Sequence, residues 1–316
     1  MKSSMKRSTQ AALACSAVVG LVLAGSWAPA FASDQASDIS AVDQVAARVA
    51  DVAPGGQTVA VSSETDSGFG SSARGADISV PRDVNSPVVI DASAGNTSIA
   101  TSLSLPSGFV NGDGQKAKDG TIVYQDDDAT ADAMAVQTLE DGSTRVQTII
   151  GSKDSKHEFA YSLAGFTPIL NDEGEALFVS TDGSDIYVPV RNAWAIDANG
   201  KSVQTRYEVR GNELVQVVVP GADTAYPVVA DPEWVWVGAG WGMKLTRSET
   251  SRVRDYAAAG SMCAIFTRGA PGLAIGCAVY AGYMQTQAGL AESDSPKTCL
   301  FLNVVPAPGS IWRVGC

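Results

Sequence analysis

His157 is the only histidine in the chain, and it limits the available chemistry more than any other residue. Zinc clusters and dyads built on histidine are excluded. A Ser-His-Asp triad would have to use His157, and no Gly-x-Ser-x-Gly turn is there to expose a nucleophile. Lys156 and Glu158 flank the ring, which predicts a surface position for it. Carboxylates are plentiful. The 34 Asp and Glu would allow the paired acids of glycoside hydrolysis, but so large a number singles none out. Asp126-Asp127-Asp128 offers oxygen ligands of the kind Ca2+ prefers, yet it lacks the spacing of an EF-hand loop and reads as a solvated acidic loop. These residue types predict no catalytic residue, no metal site and no cofactor, and the chain reads as a non-enzyme.

The tryptophans and cysteines say more. Trp234 and Trp236 stand two apart, so an extended backbone turns both to one side. With Trp241 they form either a glycan- or protein-binding surface, since tryptophan dominates interface hot spots, or the filling of a junction between modules. The junction reading is favoured, because indoles fill such spaces well. Lys244, Arg247 and Arg254 come next as a basic approach, with 247 and 254 on one helix face. Such a cluster meets anionic lipid or docks on an acidic domain. Four of the five cysteines, Cys263, Cys277, Cys299 and Cys316, fall in the last 54 residues. An even count in an exported chain predicts two disulfides, with three connectivities open. Cys263 and Cys277 lie seven residues either side of Ala270, and positions symmetric about a turn come side by side in an antiparallel pair. That favours Cys263–Cys277 and, by elimination, Cys299–Cys316.

Export is read from the start of the chain. Lys2, Lys6 and Arg7 precede an apolar run over residues 11–25, and Ala30-Phe31-Ala32 supplies small residues for cleavage after Ala32. Residues 1–32 therefore read as a signal peptide, and the protein as secreted. Charge divides the rest of the chain. Residues 33–240 carry 12 cations against 30 acids, whereas residues 241–316 carry 7 against 4. The acidic part argues against nucleic-acid binding.

The elements that must hold these residues are set by periodicity. Ile39, Val42, Val45, Ala46 and Val49 recur at helical spacing and predict an amphipathic helix within an N-terminal segment 33–56, ended by Pro54-Gly55-Gly56. Residues 57–232 read as an acidic β-rich domain of many short strands, a sandwich or an elongated β-domain. Residues 58–62 form its first strand, succeeded by a flexible loop to Arg74. Alternating runs over 133–139 and 144–150 around Glu140-Asp141-Gly142-Ser143 predict its clearest hairpin. Val228-Val229-Ala230, bracketed by Pro227 and Pro232, reads as its last strand. Residues 233–245 are a Trp/Gly-rich seam. Residues 246–316 form a disulfide-stapled helical hairpin with a C-terminal β-hairpin. Thr246-Arg247-Ser248-Glu249 is a capping box that opens a first helix to about residue 267. Pro271 suits the first turn of a second helix, to about residue 291. Residues 299–305 and 311–314 pair as the tail hairpin. Gly272 and Gly276 stand in GxxxG spacing within an uncharged run at 271–284, which a membrane-inserting hairpin would use. A run this short is more often a buried helix.

Residues 120–232, closing on Tyr226-Pro227-Val228-Val229-Ala230-Asp231-Pro232, resemble the end of a β-rich module in uncharacterised secreted proteins of actinobacteria. There a Tyr-Pro-Val-x-x-Asp-Pro motif precedes a variable C-terminal part, which this chain also resembles in its Thr-x-x-Glu start, two cysteines in paired helices, Cys-Leu strand and late cysteine. The resemblance implies a compartment and a boundary, not a reaction. Together these features predict an exported, non-enzymatic interaction or structural protein of the cell envelope, with a protein or glycan partner. A membrane-active, bacteriocin-like effector using residues 246–291 is the alternative, and a secreted hydrolase a weaker one.

Overall fold

A computed structural model describes residues 40–53, 57–94, 97–126, 131–170, 174–184, 186–236, 240–255, 259, 277–303 and 311–316. The signal segment with its cleavage site at Ala32, Asp127, Asp128, Cys263 and the Cys277 side chain lie outside the described residues. So do Gly272 and Gly276. The protein is mainly β and antiparallel.

Helix α1 (Ala41–Val52) comes first, followed by β1 (Ser62–Glu64), β2 (Gly68–Ala73), β3 (Ala76–Pro81), β4 (Val88–Ala94), β5 (Thr97–Ser104), β6 (Gln115–Lys116) and β7 (Ile122–Gln125). Next are β8 (Ala133–Thr138), β9 (Thr144–Ile150), β10 (Glu158–Leu163), β11 (Phe166–Leu170), β12 (Ala176–Ser180), β13 (Ile186–Val190) and β14 (Ala195–Ile196). Then come β15 (Gln204–Arg210), β16 (Glu213–Val219), β17 (Val228–Ala230), β18 (Glu233–Trp234) and β19 (Gly240–Lys244). Helices α2 (Arg247–Arg252) and α3 (Cys277–Ser293) and strands β20 (Cys299–Asn303) and β21 (Ile311–Val314) complete the described elements.

The strands form two sheets. One runs β1-β2-β3-β4-β5-β10-β16-β15, and the larger runs β21-β20-β19-β13-β18-β9-β8-β7-β6, with β12 and β11 branching from β13 and β17 and β14 from β9. Both sheets turn residues into one core, including Ile78, Ile90 and Phe159 from the first and Val146, Ile150 and Val188 from the second. The alternation of β9 explains how its two faces differ. Val146 and Ile150 enter the shared core, while Ile149 faces the other way. On that outer face lies α1. Its N-cap Ser40 accepts the Asp43 N–H at 3.1 Å. Val42, Ala46 and Val49 bury against Val123, Ala133, Ala135, Ile149 and Val229. The helix expected from periodicity thus packs on the β-domain.

Turn residues fix the hairpins. Gly142 takes φ +86° in the β8–β9 turn, where Asp141 Oδ1 accepts the Ser143 N–H at 3.0 Å. Gly211 does the same work with φ +65° between β15 and β16.

Three expectations are corrected. Residues 68–73, read as flexible loop, form β2, although Gly68-Phe69-Gly70-Ser71-Ser72-Ala73 is poor in strand formers. Phe69 anchors it by burying in the shared core. Val228–Ala230 is not the last strand, because β18, β19, β20 and β21 all come after it in the same sheet. The seam at 233–245 is itself sheet. Trp234 pairs with Thr144 of β9 on one side and Val190 of β13 on the other, and Gly240 and Trp241 pair with Tyr187 and Ile186. The expected boundary at residue 232 therefore falls inside the large sheet.

The C-terminal part carries a helix and a β-hairpin. The capping box is formed: Thr246 Oγ1 accepts the Glu249 N–H, and Glu249 Oε2 accepts the Thr246 N–H at 2.8 Å. Helix α2 ends at Arg252, short of residue 267, and most of residues 256–276 lies outside the described residues. Met284, Ala288 and Ala291 of α3 pack on Leu300, Leu302 and Ile311. No helix among the described residues is long and apolar enough to cross a membrane.

Cys299 and Cys316 are disulfide-bonded, with 5.1 Å between Cα atoms. The bond closes a loop over a sequence separation of 17. In the chain-entropy view such a loop contributes roughly 3 kcal/mol. The Cys299→Ala, Cys316→Ser double variant is expected to lose about 2–4 kcal/mol, read as a lower urea midpoint for the tail strands.

Candidate functional site

The sheet face that carries α1 also carries a charged cavity of about 490 Å³, lined by Gln57, Arg145, Arg191, Asn192, Trp194, Asp231 and Glu233. These residues come from separate parts of the chain. Arg145 lies on β9 and Glu233 on β18, the adjacent strand. Arg191 and Asn192 come just after β13, Trp194 precedes β14, and Asp231 sits between β17 and β18. Gln57 belongs to a strap before β1, held to the end of β8 through Ala60 N–H to Thr138 O at 2.8 Å and Glu140 N–H to Thr58 O at 2.9 Å.

Glu233 is the hub. Its Oε2 accepts Nε and Nη2 of Arg145 at 2.9 and 2.6 Å. Its Oε1 accepts Nε of Arg191, and the Ser143 hydroxyl lies 3.3 Å away. Both oxygens of this carboxylate are therefore held by guanidinium groups. Both Arg145 and Glu233 are buried, whereas half of the Arg191 side chain is exposed. Gln57 ties the rim together. Its Oε1 accepts Arg145 Nη2, and its Nε2 donates to Asp141 Oδ2 at 3.2 Å. Asp141 in turn lies 3.6 Å from Arg191. Glu233 holds the Arg191 guanidinium further toward its charged form, which hydrogen bonding to the carboxylate favours.

Asp231 differs. It is fully buried; Oδ1 accepts the Trp194 N–H at 3.0 Å, while Oδ2 has no hydrogen-bond partner. Burial pushes its carboxyl well above the usual carboxylate range, only partly offset by the Trp194 N–H and by Arg145. The protonated, uncharged form is thereby favoured. Behind it, the buried phenols of Tyr161 and Tyr207 are also pushed up, first by burial and then by Asp231. Tyr207 donates to the Arg191 carbonyl at 3.1 Å.

A second, more open cavity of about 720 Å³ adjoins the first. Gln57 and Asp141 belong to its wall, with Thr58, Ala60, Val61, Ser72, Ala73, Arg74 and Glu140. Gln57 is common to both.

The residues singled out from sequence lie elsewhere. Trp234 and Trp236 are buried in the shared core, so neither ring is offered to a partner. Trp234 meets Tyr161 edge-on at 5.3 Å between centroids, and Trp236 Nε1 donates to Thr144 Oγ1 at 2.8 Å. Trp241 lies on β19 opposite Ile186. Arg247 and Arg254 do not share a helix face, because Arg254 lies beyond the end of α2. Arg247 is paired with Glu292 and donates to the Thr298 carbonyl at 2.9 Å, while Lys244 and Arg254 are exposed. His157 is half-buried, with Nε2 3.0 Å from the Tyr226 hydroxyl. Asp126 accepts the Asn111 N–H at 2.6 Å and the Gly112 N–H at 3.1 Å, and so ties the end of β7 to the segment between β5 and β6. Among the described residues no group of three or more His, Cys, Asp or Glu is placed to hold a metal ion.

Sequence reasoning missed Gln57, Arg145, Arg191, Asn192, Trp194, Asp231 and Glu233. One signal was present: Asp231 and Glu233 interrupt the apolar stretch from Val228 to Trp236, and acids inside such a stretch are candidates for burial. Comparison with known protein families, curated proteins and solved structures finds no match to this chain.

Proposed function

We propose that this chain is an exported, non-enzymatic binding protein of the cell envelope, and that its ligand site is the cavity around Glu233. The observation that carries this reading is the preformed wall. Arg145, Glu233 and Asp231 are all buried and fixed on or beside adjacent sheet strands at the edge of a cavity within the ~300–1,000 Å³ range of ligand sites. A site held by strands is geometrically precise. The Glu233 carboxylate is engaged by Arg145 and Arg191. It is thus placed to hold a geometry. His157 is engaged with Tyr226 and does not line the cavity. The signal-like residues 1–32 and the resemblance of residues 120–232 to secreted actinobacterial modules support the compartment. On this reading, residues 246–291 form a helical hairpin that braces the sheet, stapled by a second disulfide between Cys263 and Cys277.

The test is sedimentation with isolated actinobacterial cell envelopes. Wild-type protein is expected to pellet with them. Asn192→Trp, which places an indole at the exposed rim of the cavity, is expected to weaken that binding at least tenfold with an unchanged thermal midpoint. Equal binding by the variant, no binding by the wild type, or release of soluble sugar or peptide from the envelopes would overturn the proposal.

A further inference from the structure

We infer that the cavity takes a neutral, hydroxyl-rich chain, an extended glycan, lying across both cavities through Gln57. This ligand class rests on the cavity around Glu233 being a binding site, as proposed.

Charge balance is the first reason. The two guanidinium groups of the site, Arg145 and Arg191, are matched by Glu233 and Asp141. Asp231 favours its uncharged form through burial. An anionic ligand would face Glu233 and Asp141, and a cationic one would face Arg145 and Arg191. A neutral ligand disturbs neither pair.

Hydrogen-bonding capacity is the second. The walls offer planar groups with side-by-side donors or acceptors: the amides of Gln57 and Asn192 and the half-exposed Arg191. Adjacent sugar hydroxyls both donate and accept, and so match such groups in pairs. Trp194, half-buried on the same wall, adds apolar surface of the kind on which the C–H face of a sugar ring packs.

Shape is the third. The cavities of about 490 and 720 Å³ share Gln57 as a wall residue, and together they exceed what one or two sugar units fill. An extended peptide is disfavoured, since it commonly binds by adding to a free sheet edge. Strands β9 and β13 beside the site already have partners on both sides.

The experiment compares untreated envelopes with envelopes oxidised by periodate, which cleaves vicinal diols, and with envelopes digested by protease. Periodate is expected to reduce binding of the full-length protein at least tenfold and protease to leave it intact. Purified envelope glycan fragments of six or more units are expected to compete at least tenfold better than disaccharides. Binding that survives periodate overturns the glycan assignment while leaving the binding reading standing. Equal competition by disaccharides overturns the two-cavity placement. Absence of binding to untreated envelopes overturns both readings.

Discussion

A chain ending at Pro232 is expected to lose cooperative folding altogether. By sequence that cut looks clean, since it comes after a proline-bracketed strand and precedes a run rich in glycine. In the fold it removes β18 from between β9 and β13, together with Trp234 and Trp236 from the centre of the core. Truncating one buried tryptophan to alanine costs about 3–5 kcal/mol. Domains are stable by only ~5–15 kcal/mol in all. Losing two indoles, about 6–10 kcal/mol on that scale, and leaving two strand edges unpaired removes most or all of that margin. The graded form of the prediction is Trp234→Ala in the full chain, expected to lower the stability by about 3–5 kcal/mol in urea denaturation followed by circular dichroism. A truncated chain that unfolds cooperatively, with near-ultraviolet signals of packed aromatics, would show that residues 57–232 are self-sufficient and that β18 only caps them.

The second large effect is expected at Arg145. Arg145→Met leaves the buried Glu233 with Arg191 and Ser143 alone. Breaking a buried pair from one side costs about 3–5 kcal/mol, because the remaining charge stays desolvated. The double variant Arg145→Met, Glu233→Leu removes both charges and is expected to recover more than half of that loss. Replacing a buried pair by apolar residues is often nearly neutral. Chemical denaturation of the four proteins in the cycle reads the coupling. If the double variant is as unstable as Arg145→Met, the network contributes through shape and not through charge matching.

Local order was legible in the sequence. The β8–β9 hairpin is announced by alternation around Glu140-Asp141-Gly142-Ser143, the capping box by Thr246 and Glu249, and α1 by the spacing of Val42, Ala46 and Val49. The Cys299–Cys316 bond also agrees with the pairing of Cys299 with Val314 two residues before the last cysteine. What stayed hidden depends on contacts distant in sequence. Arg145 and Glu233 are 88 residues apart, and no periodicity relates them. On β9, Arg145 and Gln147 alternate with Val146, so the strand reads as half solvated, yet both are buried. Strand β18 begins just after a proline and with a glutamate, two signals that normally mark the end of a strand. Its inclusion is decided by the space between β9 and β13 and by the arginines waiting there, which are tertiary facts.

The position of β18 also governs timing. A chain delivered from its N-terminus onward exposes β9 some eighty residues before its central neighbour arrives, and β13 some forty before, on the order of seconds apart at synthetic rates. Until Trp236 has emerged, the large sheet has a gap at its middle and its core lacks its two largest side chains. Closure is thus a long-range event near the end of delivery, the kind of contact that makes folding slow. If residues 1–32 direct export as proposed, this delay is an advantage. A chain that cannot complete its core early remains threadable through a narrow channel and sets its shape on the far side.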